Sequence, residues 1–108
     1  MTRLEFLERV LEALDSLPRH RLCRAALWLD GDVCAMGAFG KRFAGETIAV
    51  RTLAKRYGFD PDWSNQIVDL NDKYRTETPE QRFARVRNAV VEMIGLNTKA
   101  PLRELEPA

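Results

Sequence analysis

Residues 78–94 join a helix start to a helix face in one unbroken run, and this sets the class of the whole chain. Thr78 stands at the cap position and Pro79 takes the first helical position. Glu80 complements the helix dipole, and Gln81 completes a capping box. Phe83, Val86, Val90, Met93 and Ile94 then recur at helical spacing. A second such run opens the chain. Thr2 precedes Glu5 by three residues, and Leu4, Leu7, Leu11 and Leu14 follow at 3-4-3 spacing, widened by Phe6, Val10 and Leu17. Pro18 closes it, so the spacing predicts a helix over 3–17.

Between these ends the signals are shorter. Ala25-Ala26-Leu27-Trp28-Leu29 and the apolar run from Val33 flank Asp30-Gly31-Asp32, which predicts a small hairpin near 24–34 whose second arm passes into a helix near Cys34. Residues 46–57 show Ile48, Val50, Leu53, Ala54 and Tyr57 at helical spacing, closed by Gly58. Asp60-Pro61 starts another helix, with Trp63, Ile67 and Leu70 on one face and Asn71-Asp72 at its end. Gly95 is expected to stop the last helix, leaving 97–108, with Pro101 and Pro107, as an extended tail. The expectation is a mainly α protein of four to five helices with one small β-hairpin. Residues 1–96 form its single helical domain. The expected core is Leu7, Leu11, Leu14, Leu27, Cys34, Ala38, Leu53, Tyr57, Ile67, Leu70, Phe83, Val86, Val90 and Ile94.

Composition narrows the function. The 108 residues are 45% hydrophobic and 31% charged, as in ordinary globular chains. Seventeen basic against sixteen acidic residues give +1, which excludes a polyanion coat held by bulk charge. No apolar run approaches the ~18 residues of a spanning helix, and the N-terminus has no signal-peptide pattern. No membrane partner is expected. Two cysteines do not make a disulfide scaffold, so a reduced, cytoplasmic chain is the expectation.

The charge is zoned. Residues 19–24 hold Arg19, Arg21 and Arg24. Residues 41–56 hold Lys41, Arg42, Arg51, Lys55 and Arg56 against Glu46, a sum of +4, and residues 57–80 hold six acidic and two basic residues, a sum of −4. Such zoning orients a partner. Leu53 to Phe59, followed by Ile67, has the spacing of a helix-turn-helix over residues 50–70, with Trp63, Ser64, Asn65 and Gln66 placed to read base edges. Asp60, Asp62 and Asp69 on the second helix would repel phosphates. Cys34, after a turn and at a helix start, is a candidate nucleophile, with His20 as base and Asn71 or Asp72 as orienter. His20, Cys23 and Cys34 fall short of the four ligands of a closed zinc site, with Asp32 a poor fourth, so no metal is expected. No phosphate-cradling glycine motif is present, and no cofactor is expected.

The run Gly31-Asp32-Val33-Cys34-Ala35-Met36-Gly37-Ala38-Phe39, then Ile67-Val68-Asp69-Leu70-Asn71-Asp72, then Thr78-Pro79-Glu80 resembles a group of small bacterial and phage proteins. They share a Cys-Ala-x-Gly-Ala element, a later Ile-x-x-Trp-Asn-Asp element and a closing helix. The resemblance covers about residues 24–94. This chain differs in Leu70, where the group has Trp, and in its own N-terminal helix. No activity attaches to the group. The resemblance implies a fold and a linked set of Cys34, Gly37, Asn71 and Asp72, with Gly37 allowing close helix approach and Asn71 and Asp72 bonding backbone at a corner.

Together these point to a small non-enzymatic interaction protein of bacterial, phage or mobile-element origin. Its expected partner is a protein, and Lys41, Arg42, Arg51, Lys55, Arg56, Trp63, Asn65 and Gln66 are its expected contact residues. The alternatives are a helix-turn-helix DNA binder and a Cys34-dependent enzyme. A homodimer is a further arrangement compatible with the zoned charge.

Overall fold

A computed structural model describes the backbone of residues 1–105 and the side chains of residues 1–97. Among the described residues there are five helices and one two-stranded hairpin, the mainly α architecture that the spacing predicts. Helix α1 (Arg3–Asp15) is closed at its start by a capping box between Thr2 and Glu5. It ends two residues short of the predicted Leu17, because the residue ahead of Pro18 is steered away from the helical region. Strands β1 (Trp28–Leu29) and β2 (Asp32–Val33) pair antiparallel. Asp30 and Gly31 connect them at φ 52° and 84°, the two positive angles that a type I′ turn needs.

Helix α2 (Ala35–Ala44) follows at once, and the Cys34 thiol accepts a hydrogen bond from the Gly37 amide at 3.3 Å as its cap. Helix α3 (Val50–Tyr57) begins four residues later than its periodicity suggests. The segment before it is irregular and passes close to α2, with the Glu46 carbonyl 2.7 Å from where a Gly40 Cβ would lie. Gly58, at φ 72°, turns the chain, and Asp60 caps α4 (Pro61–Asp72).

Helix α5 (Pro79–Leu105) corrects the prediction for the C-terminus. It runs through Gly95 and up to Leu105, where a stop and an extended 97–108 tail were expected. A glycine inside a helix costs only about 1 kcal/mol against alanine, and the packing of α5 against α1 and α4 outweighs it. Residues 106–108 of that tail lie outside the described residues.

Helix α1 packs against α2 and α5, and α4 bridges α2, α3 and α5. The predicted core residues Leu7, Leu14, Cys34, Ala38, Leu53, Ile67, Phe83, Val86 and Val90 are buried. Leu11, Leu27, Tyr57, Leu70 and Ile94 pack against that core half-buried. Phe6 lies at its centre, with ring centroids 4.8 Å from Phe59 and 6.1 Å from Phe39. Leu22, Cys23 and Phe59 are buried from irregular segments, where no period marks them.

Gly37 does allow a close approach, but of the hairpin and not of a helix. A Cβ there would sit 2.4 Å from the Leu27 carbonyl oxygen and 3.0 Å from the Val33 Cβ. That carbonyl accepts the Cys34 amide at 3.2 Å. Gly37→Ala is therefore expected to push the hairpin off α2 and lower stability by about 1–3 kcal/mol, read by urea denaturation. Wild-type stability in that variant would show that the hairpin yields without cost.

Candidate functional site

The end of α4 is fastened to the start of α2 by one amide side chain. Asn71 is buried. Its Oδ1 accepts the Ala35 amide at 3.0 Å, and its Nδ2 donates to the Cys23 carbonyl and to Asp72 Oδ1, both at 2.9 Å. Asp72 Oδ1 also accepts the Ala25 amide at 3.0 Å. Arg24 Nε donates to the Asp72 carbonyl at 2.9 Å. The corner is thus built on backbone groups. Asp72 ties α4 to the 23–25 segment through both its side chain and its carbonyl. Ala25 is held at φ 62° by this contact, a left-handed conformation that costs an alanine about 1–2 kcal/mol.

These groups border a half-open cavity of about 320 Å³. Leu27, Met36, Val50 and Val68 supply apolar walls, and Cys34, Asn71 and Asp72 supply its polar side. Cys34, Gly37, Asn71 and Asp72 do therefore come together, around the first turn of α2.

The thiols are not poised for nucleophilic attack. Both are free and buried, Cys34 being 8% exposed. Burial pushes the Cys34 thiol up, against the opposing effect of the Gly37 and Met36 amides. Burial, with neighbouring Cys34 and Asp32, pushes Cys23 up to about 11. His20 is exposed and stacked on Phe83, with centroids 4.5 Å apart, and it does not border the cavity. A Cys34–His20 pair is thus not assembled. Native Cys34 is expected to react with a thiol reagent at least about tenfold more slowly than in the unfolded chain. Rapid native labelling would restore the nucleophile reading. Among the described residues no cluster of three His, Cys, Asp or Glu side chains could hold a metal.

The charged candidates are spread over two helices. Lys41 and Arg42 lie in the last turn of α2, and Lys55 and Arg56 in the last turn of α3, where cations complement the helix dipole. All four, and Arg51, are exposed. Arg42 is engaged by Glu12 at 3.5 Å. On α4, Asn65 and Gln66 are exposed, but Gln66 accepts a hydrogen bond from Arg3 at 3.0 Å. Trp63 is half-buried, 6.1 Å from the Phe6 ring. Ser64 is buried with its hydroxyl donating to the Pro61 carbonyl, so the α3–α4 corner closes on small residues, Ala54 and Ser64.

Two features escaped the sequence reading. Trp28 and Leu29, at the hairpin, are 57% and 49% exposed, beside cavity residues 25–27. Arg82, a charged residue beside the apolar face of α5, is only 4% exposed. Its Nη1 donates to the Leu22 carbonyl at 3.0 Å, and its Nη2 to the Tyr74 and Glu77 carbonyls at 3.3 and 3.1 Å. Comparison with family models, curated proteins and solved structures found no match for this chain. Among the described residues no helix is long and apolar enough to cross a membrane.

Proposed function

We propose that this chain is a non-enzymatic interaction protein that engages a protein partner through its hairpin face. The observation that carries this reading is the pair Trp28 and Leu29, adjacent large apolar side chains left about half exposed on a two-residue strand. Exposed tryptophans on fixed backbone are the residue type that dominates interface energetics. The neighbouring cavity gives a partner side chain somewhere to enter. The free thiols Cys23 and Cys34 suit a reducing, cytoplasmic setting. The test is affinity capture followed by titration with the purified partner. Trp28→Ser is expected to weaken binding by about 2 kcal/mol or more without changing the fold. A partner held equally by wild type and Trp28→Ser would overturn the hairpin assignment.

DNA binding is the second reading, favoured by the α3–Gly58–α4 corner with Ala54 and Ile67 buried at its crossing. The acidic cap and first turn of α4, Asp60 and Asp62, oppose it. Under this reading Lys55→Glu with Arg56→Glu weakens duplex binding and flattens its salt dependence. Absence of retention on duplex DNA at low salt removes it.

A further inference from the structure

We propose that the cavity at the α2–α4 junction is a binding site for a small alkylammonium compound, with the Asp72 carboxylate as its anchor. This does not depend on a macromolecular partner. The carboxylate is held through Oδ1, which accepts from both the Ala25 amide and Asn71 Nδ2, and among the described residues Oδ2 has no hydrogen bond. Among the described residues no Lys or Arg forms an ion pair with it. Arg24 reaches the Asp72 backbone carbonyl instead, and Lys73 lies over the Tyr74 ring, 5.4 Å from its centroid. Asp72 is half-buried, so its carboxylate keeps an open side at the edge of the apolar cavity from which a ligand cation can reach it.

The remaining walls define the rest of the ligand. Leu27, Met36, Val50 and Val68 are aliphatic or thioether side chains, and no aromatic ring borders the space. They suit an alkyl chain rather than a ring-stacking or methylated cation. A volume of about 320 Å³ lies at the small end of ligand pockets and matches a short amine.

The experiment is an amide-resolved NMR titration of the full chain with pentylamine and, separately, with pentanol. Pentylamine is expected to shift the amides of residues 25–27, 34–36 and 68–72 saturably, and pentanol is expected to bind at least about tenfold more weakly. Asp72→Asn keeps an acceptor for the Ala25 amide and should reduce amine affinity to that of the alcohol. Val68→Phe fills the cavity and should abolish binding of both while leaving Asp72 in place, so a folding defect in one variant does not remove the test. Nα-acetyl-lysine amide separates sources: binding comparable to pentylamine assigns an ammonium-tipped side chain, and none assigns a free amine. No saturable shift with pentylamine, equal affinity for the alcohol, or an unaltered Asp72→Asn titration would overturn the proposal.

Discussion

Arg82→Leu is expected to lose about 3–5 kcal/mol of stability, the cost of breaking a buried charge network from one side. For a domain of this size that is a fall in melting temperature on the order of 15–25 °C. The guanidinium gathers carbonyls from three places, Leu22, Tyr74 and Glu77, and so ties the 19–24 loop and the α4–α5 connection to the first turn of α5. Leucine fills part of the volume but leaves the buried carbonyls without donors. The Glu77 carboxylate loses one of its cations as well, since Arg82 Nε stands 3.7 Å from Oε1. Arg85 remains, bonded to Glu77 at 2.6 and 3.0 Å and to the last-turn carbonyl of Leu70 at 2.7 Å. Arg82→Lys keeps the charge without the planar fork and should fall between the two. A melting temperature within a few degrees of wild type for Arg82→Leu would show that water takes over the carbonyls.

The same cluster sets an acid limit. Hydrogen bonds from Arg85, and the charges of Arg85 and Arg82, hold the Glu77 carboxyl below its ordinary value of 4.5. A depressed carboxyl contributes stability that is fully present above the unfolded-state value and is lost as pH falls through the folded one. Glu77→Gln should therefore flatten the stability loss below about pH 4.5 and lower stability at neutral pH.

Arg82 also shows where sequence reading stops. Helical period identified the buried faces of α1, α4 and α5, and the capping signals at Thr2, Asp60 and Thr78 placed their starts. Those are local interactions, written within four residues. The burial of Arg82 depends on a carbonyl 60 positions away, and nothing within its own turn marks it. Leu22 and Phe59 are core residues for a similar reason: each sits in irregular chain, where a lone apolar residue has no period to declare its side. The candidate site divides the same way. Cys34, Asn71 and Asp72, a set by residue type, border one cavity. His20, of the same set, stacks on Phe83 instead. The left-handed Ala25 could not be read, because alanine carries no signal for positive φ.

Asn71→Ala is expected to cost about 2–4 kcal/mol, more than an ordinary cap. The side chain satisfies two buried backbone groups on different segments, the Ala35 amide that opens α2 and the Cys23 carbonyl. Truncation strands both, at roughly 1–3 kcal/mol each, with partial relief from water entering the cavity. It also removes one of the two donors on Asp72 Oδ1, so the carboxylate loosens. Asn71→Asp separates these effects. It keeps the acceptor for Ala35 but loses both donated bonds and sets a second carboxylate against Asp72. Like charges at that distance cannot both ionise without cost, so Asn71→Asp should be least stable at neutral pH and recover part of the loss as pH falls toward 5. Thermal melts of the two variants across pH 5–8 decide the matter. An unchanged melting temperature for Asn71→Ala would mean that the Asn71 bonds add nothing to the fold, and that this side chain serves only whatever enters the cavity beside it.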